Sequence, residues 1–291
     1  MSLRTDWTDW TGCTDGAGDG QAEGGQGGAA RARRVFGDES GVLTVDARGL
    51  SYRELNRVLK AYATAGAAQM STRNVAGQRY VGTNLRCPVR LEVHGTPGND
   101  LGAFMDGPSI TVFGNVQDCV GNTMNSGEIV VHGRAGDVVA MSMRGGAIFI
   151  RDDVGSRCAI HMKECGDRRP LVVIGGTAHD FLGEYMAGGT VIMLGLDLAP
   201  GERHRACFVG TGMHGGRIFI RGSIETHQLG REVEVVDPDS RDQETIMSAV
   251  ERFCTLFGTD FDEIANSRFL RLHPRSRRPY GRFYGARESG G

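Results

Sequence analysis

The chain has 291 residues, 40% of them hydrophobic, and a formal net charge of −2. That length gives one or two domains with a real core, and the near balance of charge removes any reason to expect wholesale phosphate binding or an electrostatic membrane anchor. Seven cysteines, with no CxxC pair, argue against a disulfide framework and against a self-contained zinc or iron–sulfur site; with no basic-then-apolar start and no apolar run of membrane length, the expected setting is the cytoplasm.

Residues 1–40 are rich in Gly, Asp and Thr and nearly free of aliphatic residues. Such a segment buries too little surface to offset its ordering entropy, so disorder is expected there, with Trp7 and Trp10 part of a tail. Residues 41–79 read as a short strand, Val42–Asp46, followed by a capping helix. The helix opens at the capping box Ser51-Tyr-Arg-Glu54 and carries Leu55, Val58, Leu59 and Tyr62 on one face.

The stretch 80–232 is governed by a repeat. Met105, Met124, Met143 and Met162 are spaced by 19 residues, and Met186 and Met213 continue the series after longer units. Three residues before each stands Gly102, Gly121, Ala140, Ala159, Gly183 or Gly210; five after it stands Ile110, Ile129, Ile148, Val191 or Ile218. In the fourth unit about four extra residues, within Cys165–Pro170, are taken to shift the strand to Leu171, Val173 and Gly175. Units this short cannot bury a face alone, so they must stack, each strand pairing with its equivalent about 4.8 Å away. The expected fold is mainly β: a right-handed parallel β-helix of about six to seven coils, whose interior is built from columns of Met, of Ile and Val, and of Gly and Ala.

Residues 233–291 are expected to hold a second capping helix and a basic tail. Ser240 and Gln243 occupy capping-box spacing, Ile246, Val250, Phe253 and Phe257 form the buried stripe, and Gly258 ends it. Arg268–Leu272 reads as a strand, and the arginines and aromatics that follow, among them Tyr280 and Phe283, suit partner packing better than groove tracking.

Catalytic patterns are missing where they would be needed. No GxGxxG joins a strand to a helix, so the glycines serve corners and not phosphates. His161 and His214 each neighbour a ladder Met, yet two coils separate them and they flank Met on opposite sides, which favours a surface role over catalysis. Lys163, Glu164, His179, Asp180 and Glu184 crowd the inserted fourth unit, where interface contact is the better expectation. Asp118, Asp137 and Asp180 precede the small corners and are read as turn caps. The methionines suit adaptable packing better than a soft-metal path. No catalytic, cofactor-binding or metal-binding residue is therefore assigned.

The runs Gly95-Thr-Pro-Gly-Asn-Asp-Leu-Gly102, Gly121-Asn-Thr-Met-Asn-Ser-Gly127, Met143-Arg-Gly-Gly146, Ile160-His-Met-Lys-Glu164, Phe181-Leu-Gly-Glu-Tyr-Met186 and Gly210-Thr-Gly-Met-His-Gly-Gly216 resemble the GXGXG domain. That domain is the carboxy-terminal β-helix of the glutamate synthase large subunit, found also as a stand-alone subunit, and the resemblance spans about residues 42–285, six coils in order. It implies a non-catalytic structural subunit of a complex for glutamate or N-methylglutamate synthesis. The expected partners are a glutaminase-type amidotransferase and an FMN-binding, glutamate synthase-like subunit with an iron–sulfur cluster, so flavin and cluster belong to the partners and none to this chain. Neither nucleic acid nor membrane is expected to bind. The more distant resemblance is to the third subunit of formylmethanofuran dehydrogenase, the alternative reading.

Overall fold

The computed structural model describes residues 35–37, 41–199 and 201–276. The expected tail of residues 1–40 falls almost wholly outside them, as does the aromatic end beyond residue 276. Among the described residues twelve strands form a single sheet in the order β1-β2-β3-β4-β5-β6-β7-β8-β9-β10-β12-β11. They are β1 (Val35–Gly37), β2 (Leu43–Asp46), β3 (Gln69–Ala76), β4 (Arg90–Thr96), β5 (Asp106–Phe113), β6 (Ser126–Val131), β7 (Ala147–Ile150), β8 (Leu171–Ile174), β9 (Ala187–Met193), β10 (Gly215–Arg221), β11 (Val233–Val236) and β12 (Phe269–Pro274). Each neighbouring pair from β2 to β10 is parallel. This is the expected β-solenoid, one strand contributed by each coil.

Register stacks like upon like. Leu91, Ile110, Ile129, Ile148, Val172, Val191 and Ile218 follow one another directly, and Val93, Val112, Val131, Ile150, Ile174, Met193 and Ile220 form a second column two residues on. Both columns are buried, and all six ladder methionines have no exposed surface. Burying one such side chain is worth roughly 1.5–3 kcal/mol, so identical columns repeated coil after coil supply the cohesion that no single unit could.

Two strand assignments change. In the fourth unit the inward residues are Val172 and Ile174, paired with Ile148 and Ile150, so Leu171 and Val173 face outward. Val172 lies 24 positions after Ile148, where Ile148 lies 19 after Ile129: the insert is five residues, and an error of one reverses every side chain of a strand. Upstream, β3 joins the parallel sheet although the repeat gives no sign of it. Its place in the second column is held by Thr72, fully buried, whose Oγ1 donates to the Glu92 carbonyl at 3.1 Å, and the register is broken before Val75, next to the left-handed Asn74.

Helix α1 (Tyr52–Thr64) has the expected Ser51–Glu54 box. Leu55, Leu59 and Ala63 join the inner core, so α1 closes the amino-terminal end, while Val58 and Tyr62 are only partly buried. Helix α2 (Ser240–Phe257) starts one residue before the expected box, with Asp239 as cap and Asp242 as its partner, and ends at left-handed Gly258. It differs from the expected end cap in where it lies. Ile246, Ala249, Val250 and Phe253 pack on Phe149, Val173, Ile192 and Phe219, the outward residues of β7 to β10. The outward column is Glu92, Thr111 and Val130 in the earlier coils and turns to large apolar residues at Phe149. Strands apolar on both faces need a cover on each, and α2 provides it. The carboxy-terminal end is finished by β12 and β11, which run antiparallel to their neighbours. Between α2 and β12 lies a single short helix, α3 (Phe261–Ala265).

Buried Asp242 clasps α2 to the sheet. Its carboxylate accepts from Arg217 at 3.0 Å and from Arg271 at 2.7 Å. Arg252 adds a two-pronged contact to Glu128, at 2.6 and 3.1 Å.

Candidate functional site

The turn before each ladder Met holds three left-handed residues at alternate positions. They are Asp100, Gly102 and Phe104; Cys119, Gly121 and Thr123; Val138, Ala140 and Ser142; Arg157, Ala159 and His161; Phe181, Gly183 and Tyr185; Phe208, Gly210 and Gly212. A spacing of Gly-x-Gly-x-Gly would satisfy this geometry without strain. Here the middle position is always Gly or Ala, because it points inward, where a Cβ on Gly102 would stand 2.7 Å from Ile129 Cδ1 and one on Gly183 2.6 Å from Ile218 Cδ1.

The first and last positions point outward and, Gly212 apart, carry full side chains. Each such L-residue costs roughly 1–2 kcal/mol in left-handed backbone. Hydrogen bonds between coils hold them there. Asp100, Cys119, Val138, Arg157 and Phe181 each donate their N–H to the next coil, as do Phe104, Thr123, Ser142, His161 and Tyr185, while the middle residue donates to the preceding coil. A buried N–H left without an acceptor costs about 1–3 kcal/mol, enough to hold the turn against its strain.

Stacked coils bring the outward positions into columns. In the later coils these columns are aromatic: Phe181 stacks on Phe208 with ring centroids 5.0 Å apart, and His161 on Tyr185 at 5.4 Å. The Arg157 guanidinium lies 5.0 Å from the Phe181 centroid and its Nε donates to Glu184 at 3.1 Å. Phe208 remains 51% exposed, and Phe104, on the same face, 48%. Bulky apolar side chains that are both strained and exposed contribute little to folding, and aromatic residues with Arg are what protein interfaces concentrate at their centres. This strip is the candidate functional surface.

The residues singled out from sequence are placed separately. His161 belongs to the stack with Tyr185. His214, on the other side of its Met, turns to the Gly212 carbonyl at 3.2 Å, so the two histidines stand in different columns and form no pair. Glu164 bridges the insert, accepting from Gly189 N and pairing with Arg169 at 3.1 Å; Lys163 and His179 are exposed. The aspartates do cap, and across coils: Asp118 accepts from Asp137 N at 2.9 Å, Asp137 from Ser156 N at 2.7 Å and Asp180 from Cys207 N at 3.0 Å. Gly136 and Gly155 leave room for these carboxylates, since a Cβ there would fall 2.2 and 2.1 Å from them.

Among the described residues no three His, Cys, Asp or Glu side chains converge to hold a metal ion. Burial pushes the Cys158 thiol up to about 12, and burial followed by the charges of Asp100, Asp118 and Asp137 raises Cys119; neither thiol is poised as a nucleophile. The aromatic stacks escaped sequence reading, although a signal existed: Arg157, Phe181 and Phe208 each stand five residues before a ladder Met, and His161 and Tyr185 one before.

A closed interior of columns, strained left-handed turns and an outward aromatic strip define a parallel β-solenoid. The GXGXG motif family model matches residues 54–274. An uncharacterized protein of Methanocaldococcus jannaschii is 44% identical over 250 residues, covering 83% of this chain and 96% of that protein. The chain belongs to the GXGXG family. The same fold is found in a chain of the formyltransferase/hydrolase complex from Methylorubrum extorquens, in a crystal structure with methylofuran, at a TM-score of 0.54 and 18% identity, over 78% of this chain and 89% of that one.

Proposed function

We propose that the protein is the structural β-solenoid subunit of a glutamate synthase-type complex, holding a glutaminase-type amidotransferase and an FMN- and iron–sulfur-containing oxidoreductase subunit together. The observation that carries this reading is the outward strip. Phe181, Tyr185 and Phe208 are kept in strained backbone on the outside, while the interior is filled by methionine and aliphatic columns. Chemistry in this reading belongs to the partners, and the chain supplies a rigid spacing between them. Its described cysteines are free, with Cys87, Cys119, Cys158, Cys165 and Cys207 spread along the coils and Cys254 on α2, which suits a chain that leaves cluster binding to others.

A second reading is favoured by the likeness to the formyltransferase/hydrolase chain: the protein would serve as the solenoid subunit of a complex of that kind. Purifying the tagged chain from its native cells and identifying the copurifying subunits separates the two. An amidotransferase together with a flavoprotein supports the first, and formyltransferase-type chains support the second. Flavin bound to the isolated chain, or glutaminase activity in it, would overturn the structural role.

A further inference from the structure

The charge of this chain is unevenly spread. Between Asp46 and Arg90 there are seven Arg and one Lys against two acids, whereas the remainder of the sequence carries 25 cationic and 33 acidic side chains. Both acids in the basic stretch are engaged. Asp46 accepts from Arg48 and Asn74, and Glu54 from the Ser51 N–H and hydroxyl in the helix cap. Eight cations against two acids leave this stretch with a positive excess.

Part of it borders a cleft of about 430 Å³ where α1 crosses the turn made by left-handed Tyr80, Gly82 and Asn84. Leu59, Gly82 and Leu85 line it together with Tyr52 and Tyr80, and Arg53, Arg57 and Lys60 border it, with no acidic residue in the lining. Arg79 adds a further cation, its guanidinium 5.5 Å from the Tyr52 centroid. Positions 53, 57 and 60 lie along about 10 Å of helix at 1.5 Å per residue, the length of about three residues of extended chain.

We propose that this cleft docks an acidic polypeptide segment of a partner chain, its carboxylates along Arg53, Arg57 and Lys60 and one apolar side chain against Leu59 and Leu85. Phosphate is disfavoured because the capping box already engages the Ser51 and Glu54 N–H groups at the start of α1, which depletes the amide cradle that phosphate sites use. Nucleic acid is disfavoured because the basic surface is local and the rest of the chain is acidic, whereas backbone tracking needs an extended stripe. The inference shares with the proposed function only the premise that the chain has partners, and the following test is independent of which complex it joins.

The full chain is titrated, by fluorescence anisotropy at low salt, with a short fluorescein-labelled peptide of alternating Glu and Leu and with its Gln-for-Glu counterpart. Wild type should bind the Glu peptide, with affinity falling as salt rises, and should bind the Gln peptide at least about tenfold more weakly. The double variant Arg57→Glu/Lys60→Glu should lose at least about tenfold for the Glu peptide, whereas Lys163→Glu, at the distant insert, should not; a shared thermal midpoint among the three proteins establishes folding, and Arg57→Gln/Lys60→Gln replaces the reversal should it fail to fold. Absence of binding, equal binding by the cleft variant, or displacement of the peptide by ATP or an oligonucleotide at lower concentration than by unlabelled peptide would overturn the proposal. Subunits that copurify with both wild type and the cleft variant would overturn it too, while leaving the proposed function standing.

Discussion

A Cβ on Gly121 would stand 2.4 Å from Cδ1 of Ile148, one coil further on. The same relation joins Gly82 to Ile110 at 2.6 Å, Gly102 to Ile129 at 2.7 Å and Gly183 to Ile218 at 2.6 Å. Where the corner is Ala140 or Ala159, the equivalent residue of the next coil is Val172 or Val191, which has no Cδ1. Corner and column thus exchange one carbon: the methyl gained by Ala is the one lost from Ile.

This exchange predicts a compensated pair. Gly121→Ala should destabilise by about 1–3 kcal/mol through overpacking, because the methyl enters space that Ile148 occupies. The backbone itself tolerates Ala, as Ala140 and Ala159 show at φ of 59° and 61°. Adding Ile148→Val, mild alone at about 0.5–1.5 kcal/mol, should recover part of the loss, giving a coupling above about 0.5 kcal/mol in a urea-denaturation double-mutant cycle. Strict additivity of the two changes would refute it.

The columns were open to sequence reading because they repeat: a Met, a small corner and an aliphatic residue at fixed offsets leave a period that composition alone would hide. What escaped was set by local departures from that period. The insert before Leu171 was misjudged by one residue, and β3 hid behind Thr72 and a bulge, neither of which looks like the column it completes. The site of α2 was readable in principle, since Leu171-Val-Val-Ile174 is apolar without alternation and therefore needs cover on both sides. The left-handed outer positions could not be read from residue type, since Val138 and Phe181 are poor candidates for that backbone and are held in it by neighbouring coils.

Met143 is fully buried in the methionine column. Met143→Ala should cost about 2–5 kcal/mol, read as a lowered thermal midpoint, and an unchanged midpoint would contradict an interior ladder.

The aspartate ladder distinguishes acceptor from charge. Asp137 Oδ1 receives the Ser156 N–H, and Asn115 does the same for Arg134 N at 2.9 Å without any charge. Asp137→Asn should then stay within about 0.5 kcal/mol of wild type, whereas Asp137→Ala leaves an orphan donor and should lose about 1–3 kcal/mol. Chemical denaturation of the two variants side by side decides, and equal losses would show that charge and not acceptance matters.

His204 couples stability to pH. It is buried beside Gly195, its Nε2 lies 2.9 Å from the Arg221 carbonyl, and Nδ1 has no partner. Burial lowers its pKa below the usual histidine value of 6.5, against the opposing pull of the Arg221 hydrogen bond. His132, on the outer face, is lowered as well, by burial and then by the charge of Arg151. With the folded pKa below the unfolded one, the unfolded chain binds more protons on acidification. Stability is therefore fully present above pH 6.5 and declines as the pH falls from there toward the lowered folded values. The urea midpoint should drop through that interval, and the His204 ring resonance should titrate below 6.5; titration at or above that value would remove the coupling.

Asp242 makes the docking of α2 a separable step. It is fully buried and holds Arg217 and Arg271 at once, while Arg271 Nε has no acceptor of its own. Asp242→Ala would remove the carboxylate that two part-exposed guanidinium groups share, leaving Arg271 only Asp239 at 3.4 Å, and loss of such charge-assisted bonds costs about 1.5–3 kcal/mol. Because Arg217 lies on β10 and Arg271 on β12, the loss falls on the helix and the last strands, whereas the inner columns from Leu91 to Val191 keep every contact. Amide hydrogen exchange should accordingly accelerate across α2, β10 and β12 and change little in β4 and β5. Uniform acceleration through the whole solenoid would mean that the clasp is part of one cooperative unit and would refute a locally docked helix.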